Sequence, residues 1–145
     1  MLRWAAEGFQ IYACSRNQDR YAWILQRPDA TLADGDGTRR AYHGAGPSWQ
    51  AVDGSTVFGK VLSSVPAPTQ EAIPWLVLRA SAHEGEGVLS SVAYILRTNT
   101  IGGTAPATGC DAANAGSELL VPYRATYTFL LQPPKPDEIA SAKPR

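Results

Sequence analysis

The feature that most constrains the fold is an alternation of side-chain character near the carboxyl end. Residues 119–131 place an apolar or aromatic side chain at every odd position, and Arg124, Thr126 and Thr128 lie between them. A period of two is typical of a β-strand with one buried and one solvated face. Similar short runs recur along the chain, and one longer run is apolar on both faces, as in a covered central strand. They are residues 9–12, 21–25, 57–62 and 88–97.

Glycine and proline separate these runs so closely that long helices have little room. The chain has 13 Gly and 11 Pro among its 145 residues. Asp34-Gly35-Asp36-Gly37 and Asp53-Gly54 each lie between two apolar runs. Asp-Gly provides the positive backbone φ that tight hairpin turns need. We therefore predict an all-β, single-domain antiparallel β-sandwich or barrel of about nine or ten strands.

Two segments lack a strand pattern. Residues 99–116 are rich in small side chains, with Asp111 as the one charged residue. Loops longer than roughly 15 residues are usually functional or fixed in place, and Cys110 is the candidate to pin this one. Residues 133–145 contain four prolines and no apolar pattern, which predicts a semi-rigid extension. We expect a β-domain at residues 1–132 and a separate Pro-rich tail.

Charge and hydropathy exclude several classes of protein. Lys plus Arg and Asp plus Glu each total 13, so the formal charge is zero, which argues against binding to nucleic acid or to a membrane surface. No apolar run approaches the roughly 20 residues of a membrane-spanning helix, and we expect no transmembrane segment. Met1-Leu2-Arg3-Trp4 does not resemble a signal peptide. The chain is then either cytosolic or one whose leader has been removed.

Metal and cofactor sites have weak support in the sequence. The two histidines, His43 and His83, are the metal-ligand candidates, but a catalytic zinc site normally takes three protein ligands and neither histidine lies in a ligand motif. Gly44-x-Gly46 is followed by Pro47 and lacks the third glycine of a dinucleotide site. We therefore expect no cofactor.

A better candidate site surrounds His43. Two glycines and a proline follow it, so a sharp turn would bring the imidazole close to Tyr42 and Trp49. Such a cluster suits a small ligand or acid–base chemistry, and it equally suits a packed turn whose histidine bonds a backbone carbonyl. Arg97 ends the most apolar run, where its guanidinium would anchor the long loop or receive a carboxylate.

The two cysteines, Cys14 and Cys110, allow two interpretations. Neither lies in a Cys-x-x-Cys pair or near a histidine at metal-ligand spacing. They are either two buried thiols or the ends of one long-range disulfide, which would stabilise the fold by roughly 3–5 kcal/mol. The sequence pattern by itself leaves both open.

Several linked motifs resemble DUF3455, a family of unknown function, from about Gly8 to Leu130. The motifs are Tyr12-x-Cys14, the stretch from His43 to Trp49, Asp53-Gly54-Ser55, Pro66-Ala67-Pro68, Ile73-Pro74-Trp75-Leu76, residues 97–103, residues 105–111 and Val121-Pro122-Tyr123. The resemblance implies a secreted or periplasmic protein with a leader before the domain. An oxidising location favours the Cys14–Cys110 disulfide, which would fix the long loop as a lip beside a pocket.

Three hypotheses for function follow. The first is a small-ligand- or substrate-binding domain, an enzyme or not, whose site residues are Tyr42, His43, Trp49, Arg97 and Asp111. The second is a structural or assembly subunit that contacts other protein chains through edge strands and the Pro-rich tail, since weakly charged surfaces associate readily. The third is a metal-binding protein that uses His43 or His83.

Overall fold

The computed structural model describes residues 1–133, and they form eight antiparallel strands. The strands are β1 (Leu2–Asn17), β2 (Arg20–Ala33), β3 (Arg39–Gly44), β4 (Ser48–Ala51), β5 (Thr56–Val65), β6 (Trp75–Glu84), β7 (Val92–Gly102) and β8 (Glu118–Leu131). The only helical segment in the described range is a 3₁₀ turn at Ala112–Asn114. None of the described helices is long or apolar enough to cross a membrane. The predicted all-β antiparallel fold is confirmed.

Each strand pairs with the next one in sequence, and the sheet closes on itself as a barrel. Closure is made by β1 and β8, which pair from Leu2 opposite Phe129 to Ala13 opposite Glu118. β1 also pairs with β2 along almost its whole length. Closing a sheet removes the exposed edges that strands otherwise present to neighbours. The pairing is one-sided in two places: residues 20–29 of β2 pair only with β1, and residues 60–65 of β5 pair only with β6. Assembly through edge strands therefore stays a prediction.

The count of eight strands corrects the expected nine or ten. The predicted run at residues 21–25 and the apolar run before Asp34 both belong to β2, which continues through Pro28. The proline is accommodated next to a β-bulge, where the pairing register between β1 and β2 shifts at Ile11 and Tyr12. Residues 88–97 are not one strand either, because residues 88–91 form a turn and β7 begins only at Val92.

The core fills the barrel with inward side chains from every strand. Alternation along the strands places apolar residues inside and polar ones outside. Six of the fully buried side chains are Leu32, Trp49, Val57, Leu89, Ile95 and Phe129. Close approach of β1 and β2 depends on Gly8, since a Cβ there would overlap the backbone of Asp29 and Ala30.

One end of the barrel, here named the capped end, is closed by residues 85–91 between β6 and β7. Leu89 from this turn is fully buried, and its backbone N–H donates to Ser55 Oγ at 3.1 Å. The Asp53 carboxylate holds the same region together. It accepts from the backbone N–H of Val88 at 2.9 Å and from the Ser55 hydroxyl at 2.6 Å. These bonds fix an apolar plug over the core.

The opposite end, here named the open end, carries the β3–β4 turn and the long β7–β8 loop. The loop occupies residues 103–117, because β7 runs on through Gly102. Cys110 in this loop and Cys14 of β1 form a disulfide, with an S–S distance of 1.98 Å. The Trp23 indole N–H also donates to the Thr108 carbonyl at 2.9 Å. The loop is thus pinned to the β1–β2 hairpin, as the second interpretation of the cysteines required.

Two expectations fall beyond the described residues. The Pro-rich tail begins at Pro133, and all of it after that residue lies outside the described range. The division into residues 1–132 and 133–145, and contacts of the tail with other chains, therefore stay predictions.

Candidate functional site

The open end of the barrel contains a cavity of about 360 Å³. Residues from all eight strands and from the β3–β4 turn line it. The lining residues are Gln10, Leu25, Gln26, Arg27, Pro28, His43, Gly46, Pro47, Trp49, Val61, Leu76, Leu78, Arg97 and Tyr127. The volume is in the lower part of the range found for small-molecule sites, and the mouth of a β-barrel is a common place for one.

The floor of the cavity is aromatic. His43 of β3 lies directly opposite Trp49 of β4, because the turn between them keeps the two residues in cross-strand register. Their rings stack with centroids 4.4 Å apart and an interplanar angle of 12°. Tyr127 of β8 packs against both rings, with its centroid 5.0 Å from His43 and 5.5 Å from Trp49. These three residues, the aromatic floor, present large and rigid contact surfaces.

His43 is held neutral at physiological pH. It is 3% exposed, and burial lowers its pKa from 6.5 to about 4. The hydrogen bond to the Ser48 carbonyl opposes this shift, whereas the positive charge of Arg97 adds to it. Nδ1 lies 2.8 Å from that carbonyl oxygen. Since a carbonyl only accepts, the neutral ring carries its proton on Nδ1 and leaves Nε2 as an acceptor.

Arg97 brings a permanent positive charge to the cavity. Its Nε donates to the Pro74 carbonyl at 3.0 Å, so it anchors the segment before β6 rather than the loop after β7. Its charge acts on the buried floor: burial raises the pKa of Tyr127, and Arg97 opposes that rise. No ion pair joins Arg97 to a carboxylate within the described residues.

Two buried polar atoms of the lining residues have no hydrogen-bond partner in the described part of the chain. They are Gln10 Oε1 and Trp49 Nε1. Gln10 is 3% exposed and Trp49 is 1% exposed. Buried polar groups in native proteins are nearly always hydrogen-bonded, and an unpaired one costs about 1–3 kcal/mol. Trp75 Nε1 is unpaired as well, but Trp75 does not line the cavity. Two of the residues that line the cavity thus each carry one buried polar atom without a protein partner, an acceptor on Gln10 and a donor on Trp49.

A β-bulge shapes the mouth of the cavity. Residues 25–28 of β2 all contribute to the lining, although consecutive residues of a regular strand face opposite sides. The bulge leaves Gln26 without a partner between the pairs that Leu25 and Arg27 make with β1. Bulges often lie at barrel rims and redirect side chains there. The β3–β4 turn also contributes to the lining, and Gly46 in it has a φ of 136° that favours glycine.

The structure brings three of the five predicted ligand-binding residues together. His43, Trp49 and Arg97 line the same cavity. Tyr42 does not, because it follows the opposite face of β3 and is 39% exposed. Asp111 does not either, since its carboxylate caps the 3₁₀ turn by accepting from the Ala113 backbone N–H at 2.9 Å.

The histidines do not form a metal site within the described residues. No group of three or more His, Cys, Asp or Glu side chains is placed to hold an ion there. His43 uses Nδ1 on Ser48, as above, and His83 has Nε2 at 2.7 Å from the Val92 carbonyl oxygen. Neither histidine therefore supports the metal-binding hypothesis.

The family model described as Protein of unknown function (DUF3455) matches residues 37–131. The chain belongs to the DUF3455 family. The match includes the His43–Trp49 turn, Arg97 and Cys110, and it begins after Cys14. No curated protein and no solved structure gives a significant match.

Among the cavity residues of this DUF3455 protein that sequence reasoning missed are Gln10, Arg27 and Tyr127. One signal for Gln10 was available. The inward positions of β1 are apolar or glycine from Trp4 to Cys14, with Gln10 as the single polar exception. A lone amide on a buried strand face indicates a specific partner or a cavity. Tyr127 was recognised as buried, but only the closed barrel shows that it lies beside His43.

Proposed function

We propose that this DUF3455 protein binds a small molecule of mixed apolar and polar character in the open-end cavity. The observation that carries the proposal is the pair of unpartnered polar atoms, Gln10 Oε1 and Trp49 Nε1, on buried residues that line a largely apolar cavity. A ligand that hydrogen-bonds to them would offset the free energy their burial costs. Apolar walls with a few fixed polar groups are typical of ligand sites.

The apolar part of the site is supplied by aliphatic side chains. Leu25, Val61, Leu76 and Leu78 line the cavity above the aromatic floor. Burying an apolar ligand surface against them contributes roughly 25 cal/mol per Å² before the costs of association. Leu76 and Leu78 lie where β6 pairs with both β5 and β7, so the sheet holds this part of the wall in place.

The lining favours binding over covalent catalysis. It contains no Ser, Thr, Cys, Lys, Asp or Glu among the described residues. Covalent catalysis most often uses one of these side chains as the nucleophile. The neutral His43 has Nδ1 engaged with a backbone carbonyl and stacks on Trp49, which suits a wall of the site.

The cavity can be tested with N-phenyl-1-naphthylamine, an uncharged aromatic probe that fluoresces in apolar surroundings. Val61 and Leu62 are neighbours on β5 with the same exposure of 55%, but only Val61 lines the cavity. Val61→Trp should fill the mouth and weaken probe binding by about tenfold or more, and Leu62→Trp is the matched control. The absence of saturable binding to the wild-type protein, or equal losses in the two variants, would contradict the proposal.

We also propose that the protein works in an exported, oxidising compartment. The Cys14–Cys110 disulfide supports this location, since such bonds persist outside the reducing cytosol. An assembly role stays a prediction, because the tail on which it depends lies beyond the described residues.

A further inference from the structure

The charged side chains that line the open-end cavity are of one sign. Its ionisable lining residues are Arg27, His43, Arg97 and Tyr127, and no carboxylate lines it among the described residues. His43 is neutral because burial lowers its pKa to about 4, and burial keeps Tyr127 protonated by raising its pKa. The two arginines thus determine the electrostatic character of the cavity, which is positive.

The two arginines differ in how far their charges are compensated. Arg27 lies at the rim, and its Nη1 is 3.2 Å from Glu118 Oε2. Arg97 has no carboxylate within 4.0 Å in the described part of the chain. Its Nε donates to the uncharged Pro74 carbonyl, and its guanidinium also interacts with the neutral Tyr127 hydroxyl, which opposes the rise in the pKa of Tyr127. A guanidinium has five N–H donors, so Arg97 keeps donors for a further acceptor. One uncompensated positive charge remains beside the aromatic floor.

The unpaired donor in the lining points to the same kind of ligand group. Trp49 Nε1 is a donor and needs an acceptor, as do the remaining N–H groups of Arg97. A carboxylate is acceptor-only, planar, and matches the fork of a guanidinium. It also carries a single negative charge, which balances the single uncompensated arginine. The rest of the lining is mainly apolar.

We propose that the ligand of this cavity is an apolar molecule that bears one carboxylate, and that Arg97 is the residue that binds this carboxylate. The inference rests on the proposed small-molecule function and adds the chemical class of the ligand. The aliphatic walls and the aromatic floor hold the apolar part. The charge-assisted hydrogen bonds of Arg97 orient the acid group.

The test displaces N-phenyl-1-naphthylamine with three compounds that share a ten-carbon chain: decanoate, 1-decanol and decylammonium. With the wild-type protein, decanoate should bind tightest and decylammonium weakest. Arg97→Met should weaken decanoate by about tenfold or more and change 1-decanol by less than about twofold. Arg97→Lys should retain part of the preference for decanoate. Arg79→Met, an exposed arginine of β6 that does not line the cavity, is the control and should change neither affinity.

The outcomes separate this inference from the function on which it rests. Two results would overturn the carboxylate assignment: equal displacement of the probe by the three compounds, or an equal loss of affinity for decanoate and 1-decanol in Arg97→Met. If probe binding is still weakened by Val61→Trp, the cavity function itself stands. Loss of that sensitivity would overturn the cavity function itself. If Arg97→Met does not fold, the order of the three compounds on the wild-type protein still decides the matter.

Discussion

Acid should destabilise this protein through His43, well before its carboxylates are protonated. The folded-state pKa of His43 is about 4, whereas its ordinary value is 6.5. Between these values the unfolded chain binds a proton that the folded chain does not. The unfolding free energy contributed by this group is therefore fully present above pH 6.5 and falls as the pH drops toward 4.

The size of this effect follows from the difference between the two pKa values. Proton linkage gives a loss of about 2 kcal/mol at about pH 5 and about 3 kcal/mol at about pH 4. Such a loss is large against a typical stability of about 5–15 kcal/mol. The cause is the burial of the ring on the aromatic floor, since the bond to the Ser48 carbonyl acts in the opposite direction.

Urea unfolding across this pH range measures the effect in the wild-type protein and in His43→Phe. The variant keeps an aromatic ring beside Trp49 but cannot titrate. We expect it to be less stable at neutral pH, because the Ser48 carbonyl loses its donor. Its stability should then change much less between pH 7 and pH 4.5 than that of the wild-type protein.

The second histidine provides the control. His83 is exposed and bonded to the Val92 carbonyl, so His83→Asn should preserve the acid-dependent loss. The reasoning is refuted if wild type and His43→Phe lose stability in parallel. It is also refuted if NMR shows the His43 ring of the folded protein titrating near pH 6.5.

Three further changes test the fold. Replacing Cys14 and Cys110 together by alanine removes a cross-link between positions 96 residues apart. In urea titrations, this double replacement should lower the unfolding free energy by about 4–5 kcal/mol. Alkylation of both thiols in the wild-type protein without reductant would instead show that the bond is absent. Gly8→Ala should lower the unfolding free energy by about 1–3 kcal/mol, because the new Cβ meets the backbone of β2. Gly35→Ala is the control and should change the unfolding free energy little, because the space around Gly35 is open. Equal effects of the two replacements would contradict the close approach of β1 and β2. Asp53→Ala should lower the melting temperature and speed amide hydrogen exchange at the capped end, because the carboxylate that bonds Val88 and Ser55 is lost. Unchanged exchange there would show that Asp53 does not hold residues 85–91 in place.

The sequence was sufficient for what depends on local pattern. Period-two alternation pointed to β1, β2, β5 and β8, and Asp53-Gly54 marked a true hairpin turn. The His43–Trp49 contact could be anticipated because a short turn joins the two strands and puts these residues opposite each other. The cysteine pairing needed more than pattern, namely the family resemblance and the oxidising location it implies.

Where the sequence-based predictions were wrong, the physical cause is one that local pattern does not reveal. Tyr42 and His43 are adjacent in one strand and so face opposite sides, which means that only one of them could reach the cavity. Leu89 is apolar because it plugs the capped end, not because it extends β7. Gln10 reaches the cavity through pairings of β1 with both β2 and β8, and no local pattern predicts that closure.

The cross-link between β1 and the β7–β8 loop encloses seven of the eight strands wholly or in part. A protease that cuts the chain once between Cys14 and Cys110 would leave two fragments still joined by sulfur. The fragments would remain paired through the sheet and would migrate as one species until a reductant separates them. A nicked molecule can therefore keep its architecture after the backbone has been broken.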